Sequence, residues 1–125
     1  MTQRSTNAAV LVVEDEPLLR MLAVDLVEDA GFRVLEACDA DEAVRILETR
    51  SDIGIVFTDI DMPGSTNGLA LAKIARKLHP SAAIMVVSGR RTPGAGDLPD
   101  DAKFVDKPYD NDAVMKTFGT MLPKD

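Results

Sequence analysis

Three acidic residues in a row, Glu14-Asp15-Glu16, close a wholly apolar run; further along the chain Asp59 and Ser88 end two more strand-like runs, and Asp106-Lys107 ends the short Lys103-Phe104-Val105 strand. Carboxylates crowded together at neutral pH repel one another and need a neutralising partner. A donor set made only of oxygens, with no thiolate or imidazole in it, suits a hard divalent ion and best suits Mg²⁺. A main-chain carbonyl from the loop after Asp59, such as that of Asp61, completes such a shell together with waters. Mg²⁺ works with phosphate oxygens, so the natural chemistry is phosphoryl transfer. Asp59 is then a carboxylate nucleophile, and Lys107 and Ser88 neutralise and hydrogen-bond the transferred phosphoryl oxygens.

These groups meet only if the elements carrying them run in one direction. Ala8-Ala9-Val10-Leu11-Val12-Val13 reads as a strand buried on both faces, as in a parallel sheet. Pro17 then suits the first turn of a helix, Leu18, Leu19, Leu22, Leu26 and Val27 recur at helical steps, and Gly31 is the stop. Arg33 to Ala37 is a weaker strand, and Asp39 or Asp41 caps a helix carrying Ala43, Val44 and Leu47 on one face. Ile53 to Thr58 is a third strand, and the loop to Gly68 is rich in turn formers. Leu69 to Leu78 is a helix with Leu71, Ala75 and Leu78 on one stripe, closed by His79-Pro80. Ala82 to Val87 and Lys103 to Val105 are strands, and Asp110 to Leu122 is a helix with Val114, Phe118 and Met121 facing inward. Between Ser88 and Phe104, Pro93, Gly94, Gly96 and Pro99 make a regular helix costly, so a loop is expected. Strand and helix alternate, which argues an α/β domain with a parallel sheet. In such a sheet ligands bind at the carboxyl ends of the strands, where the acidic, hydroxyl and ammonium groups fall.

Composition narrows the class. The 125 residues form one domain by length, 46% hydrophobic and 28% charged, which excludes a disordered chain. A net charge of −7 repels phosphate backbones, so direct nucleic-acid binding is not expected. Cys38 is the lone cysteine and excludes an internal disulfide, and His79, the lone histidine, reads as a helix C-terminal cap. No apolar run is long enough to span a membrane and no signal segment precedes the first strand, which makes the cytoplasm the expected location.

The chain also resembles a receiver domain of two-component response regulators. The resemblance rests on Val10 to Asp15, on Asp59-Ile60-Asp61-Met62-Pro63-Gly64, on Val87-Ser88-Gly89 and on Phe104 to Tyr109, four motifs in order at strand ends. It covers residues 8–122 as one domain of the single-domain type, with 1–7 and 123–125 as flexible tails. It implies a doubly wound, flavodoxin-like five-stranded parallel sheet of order 2-1-3-4-5, with the fourth helix shortened or replaced by a loop. It implies that Asp59 accepts a phosphoryl group from a histidine kinase or histidine phosphotransfer protein. Asp15 binds Mg²⁺ directly, Glu14 largely through water, and Asp61 through its carbonyl. Ser88 swings toward the phosphoryl group, Lys107 pairs with it, and Phe104 follows the hydroxyl inward as the second half of a switch. Self-phosphorylation and self-dephosphorylation are the only activities implied, and the output passes to a downstream effector protein.

Two departures stand out. The loop from Asp59 to Gly68 is a residue longer than the usual pattern, and the Ser88 to Phe104 stretch is shorter, which puts standard dimerisation in doubt. Other readings remain open. Phe57-Thr58-Asp59-Ile60-Asp61 superficially offers the Asp-x-Asp pair of a haloacid dehalogenase-type phosphatase, although after the third strand rather than the first. A receiver-like binding module that takes no phosphate is a third reading. Leu18 and Leu19 cannot both face the core easily, so one is a candidate for docking a kinase. Cys38 and the methionines read as packing.

Overall fold

The structure, a computed structural model, describes residues 8–61, 67–89, 93–94, 96–99, 101–107 and 109–121. Five parallel strands, β1 (Ala9–Val13), β2 (Arg33–Ala37), β3 (Ile53–Asp59), β4 (Ala83–Ser88) and β5 (Lys103–Asp106), form one sheet in the order β2-β1-β3-β4-β5. The described helices are α1 (Pro17–Asp29), α2 (Ala40–Thr49), α3 (Gly68–Leu78) and α4 (Asn111–Met121). This is the flavodoxin-like architecture expected from the motifs.

Strand periodicity explains the layering. Successive side chains of β1 point to opposite faces, so Leu11 and Val13 join the core under α2 and α3, and Val10 and Val12 join the core under α1 and α4. Both faces are covered, which is why β1 and β4 read as unbroken apolar runs. On the α1–α4 side Phe118 meets Phe57 edge-on at 5.4 Å and Phe32 at 5.9 Å between ring centroids.

The helix ends follow local chemistry. Gly31, at φ 96°, ends α1 in a Schellman pairing: its N–H reaches Glu28 O at 2.9 Å and the Phe32 N–H reaches Val27 O at 3.3 Å. Asp39, not Asp41, caps α2 by accepting the Glu42 N–H at 2.8 Å, and Glu42 in turn accepts the Cys38 N–H. Asn67 caps α3 through the Ala70 N–H. The His79 N–H bonds Ala75 O at the end of α3, and its Nε2 lies 2.6 Å from Leu47 O of α2.

Two expected helical stripes are only partly buried. The core face of α1 is Ala23, Val24 and Val27, whereas Leu18, Leu19, Met21 and Leu22 are 63%, 44%, 58% and 56% exposed. The small residues let the helix lie close to the sheet, with Arg20 as the last member of that stripe. Arg20 Nη1 donates to Glu14 O at 2.9 Å and its Nε to Glu36. On α3, Leu71 and Ala75 are buried but Leu78 is exposed, because the helix ends before that turn is covered.

Between β4 and β5 there is no helix among the described residues. Asp97 caps a turn by accepting the Gly94 N–H at 2.7 Å and donates its own N–H to Gly94 O. Leu98 and Ala102 pack with Phe104 against the α2–α3 core. Arg76 fastens this segment to α3: its guanidinium bonds Pro80 O and Ala82 O at 2.7 Å each and Asp101 at 2.6 Å. Val114 and Phe118 face inward from α4 as expected. The Met121 side chain, Leu122, both tails, Pro108 and the Met62 to Thr66 part of the loop after Asp59 lie outside the described residues.

Candidate functional site

The parallel register brings the strand ends to one edge. Val13 of β1 pairs with Thr58 of β3, so Glu14 and Asp59, the next residues on each, are neighbours. Asp59 pairs with Val87, and Ser88 with Asp106, which puts the hydroxyl and Lys107 along the same edge. Backbone bonds lock this order: Ile60 N–H to Val87 O at 2.9 Å and Lys107 N–H to Ser88 O at 3.0 Å.

Glu14 and Asp59 are buried, and Asp15 is half-buried. Each of the three offers a carboxylate oxygen, all lying within 4.8 Å of one another, close enough to share one cation. Lys107 Nζ stands 3.2 Å from Asp59 Oδ2 and 3.5 Å from Glu14 Oε1. Burial pushes the Glu14 carboxyl up despite the Glu16 N–H and Lys107, which pull it down. Burial works against the Lys107 ammonium, but Glu14 and Asp59 outweigh it and hold its pKa above the ordinary value. A charged lysine is therefore secured by the same carboxylates it neutralises. An acidic helix N-terminus is not what the Glu14 to Glu16 run provides: Glu16, at the N-cap of α1, makes no capping bond, and Glu14 turns toward Lys107.

Asp59 is oriented from both sides. Its Oδ1 accepts the Asp61 N–H at 3.2 Å, and its main-chain oxygen accepts the Thr58 hydroxyl at 3.0 Å. Gly68 lies so close that a Cβ there would collide with Asp59 O and Ile60 Cα. Ser88 Oγ donates to Asp61 Oδ2 at 2.8 Å. That contact was not foreseen, since Asp61 was expected to contribute only its carbonyl; the signal was its position two residues beyond Asp59, just past the strand. Phe104 is not at the site. It pairs with Val86 two residues below Ser88, half-buried on the same sheet face as Leu98.

Beside the acidic cluster an apolar cavity of about 540 Å³ opens between α1 and the start of α4, lined by Leu22, Leu26, Phe57 and Tyr109 and reaching Asp59 and Lys107. Tyr109 sits edge-on to Phe57, and burial pushes its phenol up.

The model of the response regulator receiver domain matches residues 10–118. The chain belongs to that family. The sensor kinase CckA of Brucella abortus (strain 2308) is 37% identical over 127 residues, which cover 98% of this chain and 13% of the kinase. The chain thus spans a small part of that relative's length. The crystal structure of the receiver domain from the hybrid histidine kinase CckA superimposes with a TM-score of 0.79 at 32% identity, over 93% of this chain and all of that one (100%). The response regulator protein TrrA from Thermotoga maritima, solved in complex with Mg²⁺-BeF, has a TM-score of 0.79 at 25% identity, covering 92% of this chain and 99% of its own. Two-component signalling is the setting of this receiver domain, and it carries an acidic cluster suited to a metal ion. Among the described residues no helix is long and apolar enough to cross a membrane.

Proposed function

We propose that residues 8–122 form one phosphoaccepting receiver domain, and that Asp59 takes a phosphoryl group from a phosphohistidine of a histidine kinase or phosphotransfer protein. The observation that carries this reading is Asp59 itself, buried at a strand end, with Lys107 at 3.2 Å and with Glu14 and Asp15 placed to share a cation with it. Glu14, Asp15 and Asp59, with the Asp61 carbonyl, are the oxygen donors for Mg²⁺. When bound, the ion offsets the carboxylate charge and that of the incoming phosphoryl oxygens.

This chain's residues then have separate tasks. An Asp59 carboxylate oxygen attacks phosphorus as the bond to the donor imidazole breaks. Lys107 and Ser88 donate to the phosphoryl oxygens. Ser88, Val86 and Phe104 share one sheet face, which supports a switch in which movement at Ser88 repacks Phe104 and Leu98 and is read by an effector protein. The exposed Leu18, Leu19, Met21 and Leu22, beside the apolar cavity, are the surface on which the donor protein docks. A cytoplasmic location and no direct contact with nucleic acid or membrane belong to the same reading.

Intact mass after incubation with acetyl phosphate and Mg²⁺ tests it, beside Asp59→Asn. One phosphoryl adduct on the wild type alone is expected. No adduct, together with no binding of beryllofluoride, would leave the silent binding module as the better reading.

A further inference from the structure

We infer that the Asp61 side chain is a positioning residue for Ser88: it holds the hydroxyl on its own carboxylate and so sets the threshold that phosphorylation must overcome. The inference rests on the phosphoacceptor reading and deepens it. Ser88 is buried, and its main-chain oxygen is held by the Lys107 N–H at 3.0 Å. The Ser88 side chain is the part that this bond does not restrain. That side chain donates to Asp61 Oδ2 at 2.8 Å, a charge-assisted bond of the stronger kind. The same residue donates its main-chain N–H to Asp59 Oδ1. Asp61 thus touches the acceptor with its backbone and the switch hydroxyl with its carboxylate.

A phosphoryl group on Asp59 changes both sides of this balance. It offers the Ser88 hydroxyl a competing anionic acceptor, and its charge repels the Asp61 carboxylate. A group bound at Asp59 thus gives the hydroxyl an anionic partner that competes with Asp61.

The test is a double-mutant cycle read by beryllofluoride binding in the presence of Mg²⁺, with Asp61→Ala and Ser88→Ala singly and combined. Asp61→Ala is expected to tighten binding about tenfold, and in the Ser88→Ala background by about twofold or less, since the net value of a charged hydrogen bond is of this order. Asp61→Asn keeps an acceptor without the charge and should fall between. Equal tightening in both backgrounds would mean simple charge repulsion and overturn the inference, as would no tightening at all. A second reading needs no phosphoryl mimic. Three-bond couplings in the free protein should show the Ser88 rotamer released by Asp61→Ala, and an unchanged rotamer also overturns the inference. A wild type that fails to bind beryllofluoride while the rotamer does respond would instead overturn the phosphoacceptor reading, and the threshold with it.

Discussion

The Lys107 ammonium stands 3.2 Å from the Asp59 carboxylate and leans toward Glu14 at 3.5 Å, serving two buried acids with one charge. One cation among three carboxylates leaves net negative charge in a poorly solvated place, where Coulomb energies are large. Removing the lysine as Lys107→Ala should cost about 1–2 kcal/mol in metal-free protein, discounted for its partial exposure. Millimolar Mg²⁺ should restore more stability to this variant than it adds to the wild type, because a cation binding only the native state stabilises by mass action. Thermal unfolding followed by circular dichroism, in chelator and in Mg²⁺, measures both. Asp15→Asn should abolish most of the Mg²⁺ response, and an undiminished response would exclude Asp15 from the cation site.

The pH dependence carries a sign. Glu14 is raised in the folded state, chiefly by burial, so the native protein keeps a proton that the unfolded chain has released. Its contribution therefore turns unfavourable as pH rises above the ordinary glutamate value of 4.5. Asp52, held well below the usual range by Arg50 and Arg33, behaves oppositely: it stabilises above the ordinary aspartate value of 3.8 and loses that as pH falls. In metal-free protein, Glu14→Gln should be more stable than wild type at neutral pH, with the gap closing toward pH 4. Urea midpoints across that range decide it, and a gap that widened on acidification would reverse the assignment.

Gly68 allows α3 to start directly against the end of β3. Gly68→Ala replaces a poor helix former with the best one, a change worth at most about 1 kcal/mol in favour of the helix, since that value belongs to helix interiors and Gly68 is the first helical residue. The collision of its Cβ with Asp59 O and Ile60 Cα predicts the reverse, a net loss of about 2 kcal/mol or more from overpacking against backbone. Chemical denaturation gives the sign directly. Phosphorylation of the variant by acetyl phosphate should slow as well, since Asp59 itself must shift.

The exposed apolar patch of α1 can be tested by comparing donors. Leu18→Lys and Leu22→Lys lie at surface positions where substitution ordinarily changes stability by no more than about 0.5 kcal/mol. Loss of buried apolar contacts should lower the rate from a protein phosphohistidine donor about tenfold relative to the rate from acetyl phosphate. A ratio unchanged from wild type would place donor docking elsewhere.

β1 and β4 and their terminal polar residues were legible because a strand buried on both faces is apolar throughout, and its first polar residue then marks the strand's end. The stop at Gly31 and the cap at Asp39, one of the two acids open in the sequence, are local chemistry too; the Asn67 cap is equally local but was not singled out. What misled was α1. Leu18, Leu19 and Leu22 fit a helical period, but a period reveals that a stripe exists, not which stripe meets the sheet, and the covered one is made of Ala23, Val24 and Val27. The bond from Ser88 to Asp61 and the reach of Arg76 to Asp101 join residues 27 and 25 apart through tertiary approach alone, and no local pattern encodes them. The turn-rich link between β4 and β5 was readable from Pro and Gly density. Its anchoring through Leu98 and Arg76 was not.

Glu14 and Lys107 are separated by 93 residues of chain, one just past β1 and the other just past the edge strand β5. The contact that neutralises the cluster thus closes a long stretch of chain, and the entropy of that closure must be met before the contact stabilises anything. Until β5 docks, the carboxylates of the earlier strands face one another without their countercharge. During refolding a dissolved divalent cation would serve as a temporary stand-in for the lysine. A nascent chain holds the whole constellation only after β5 and the loop carrying Lys107 have been made, so the capacity to receive a signal arises together with completion of the sheet.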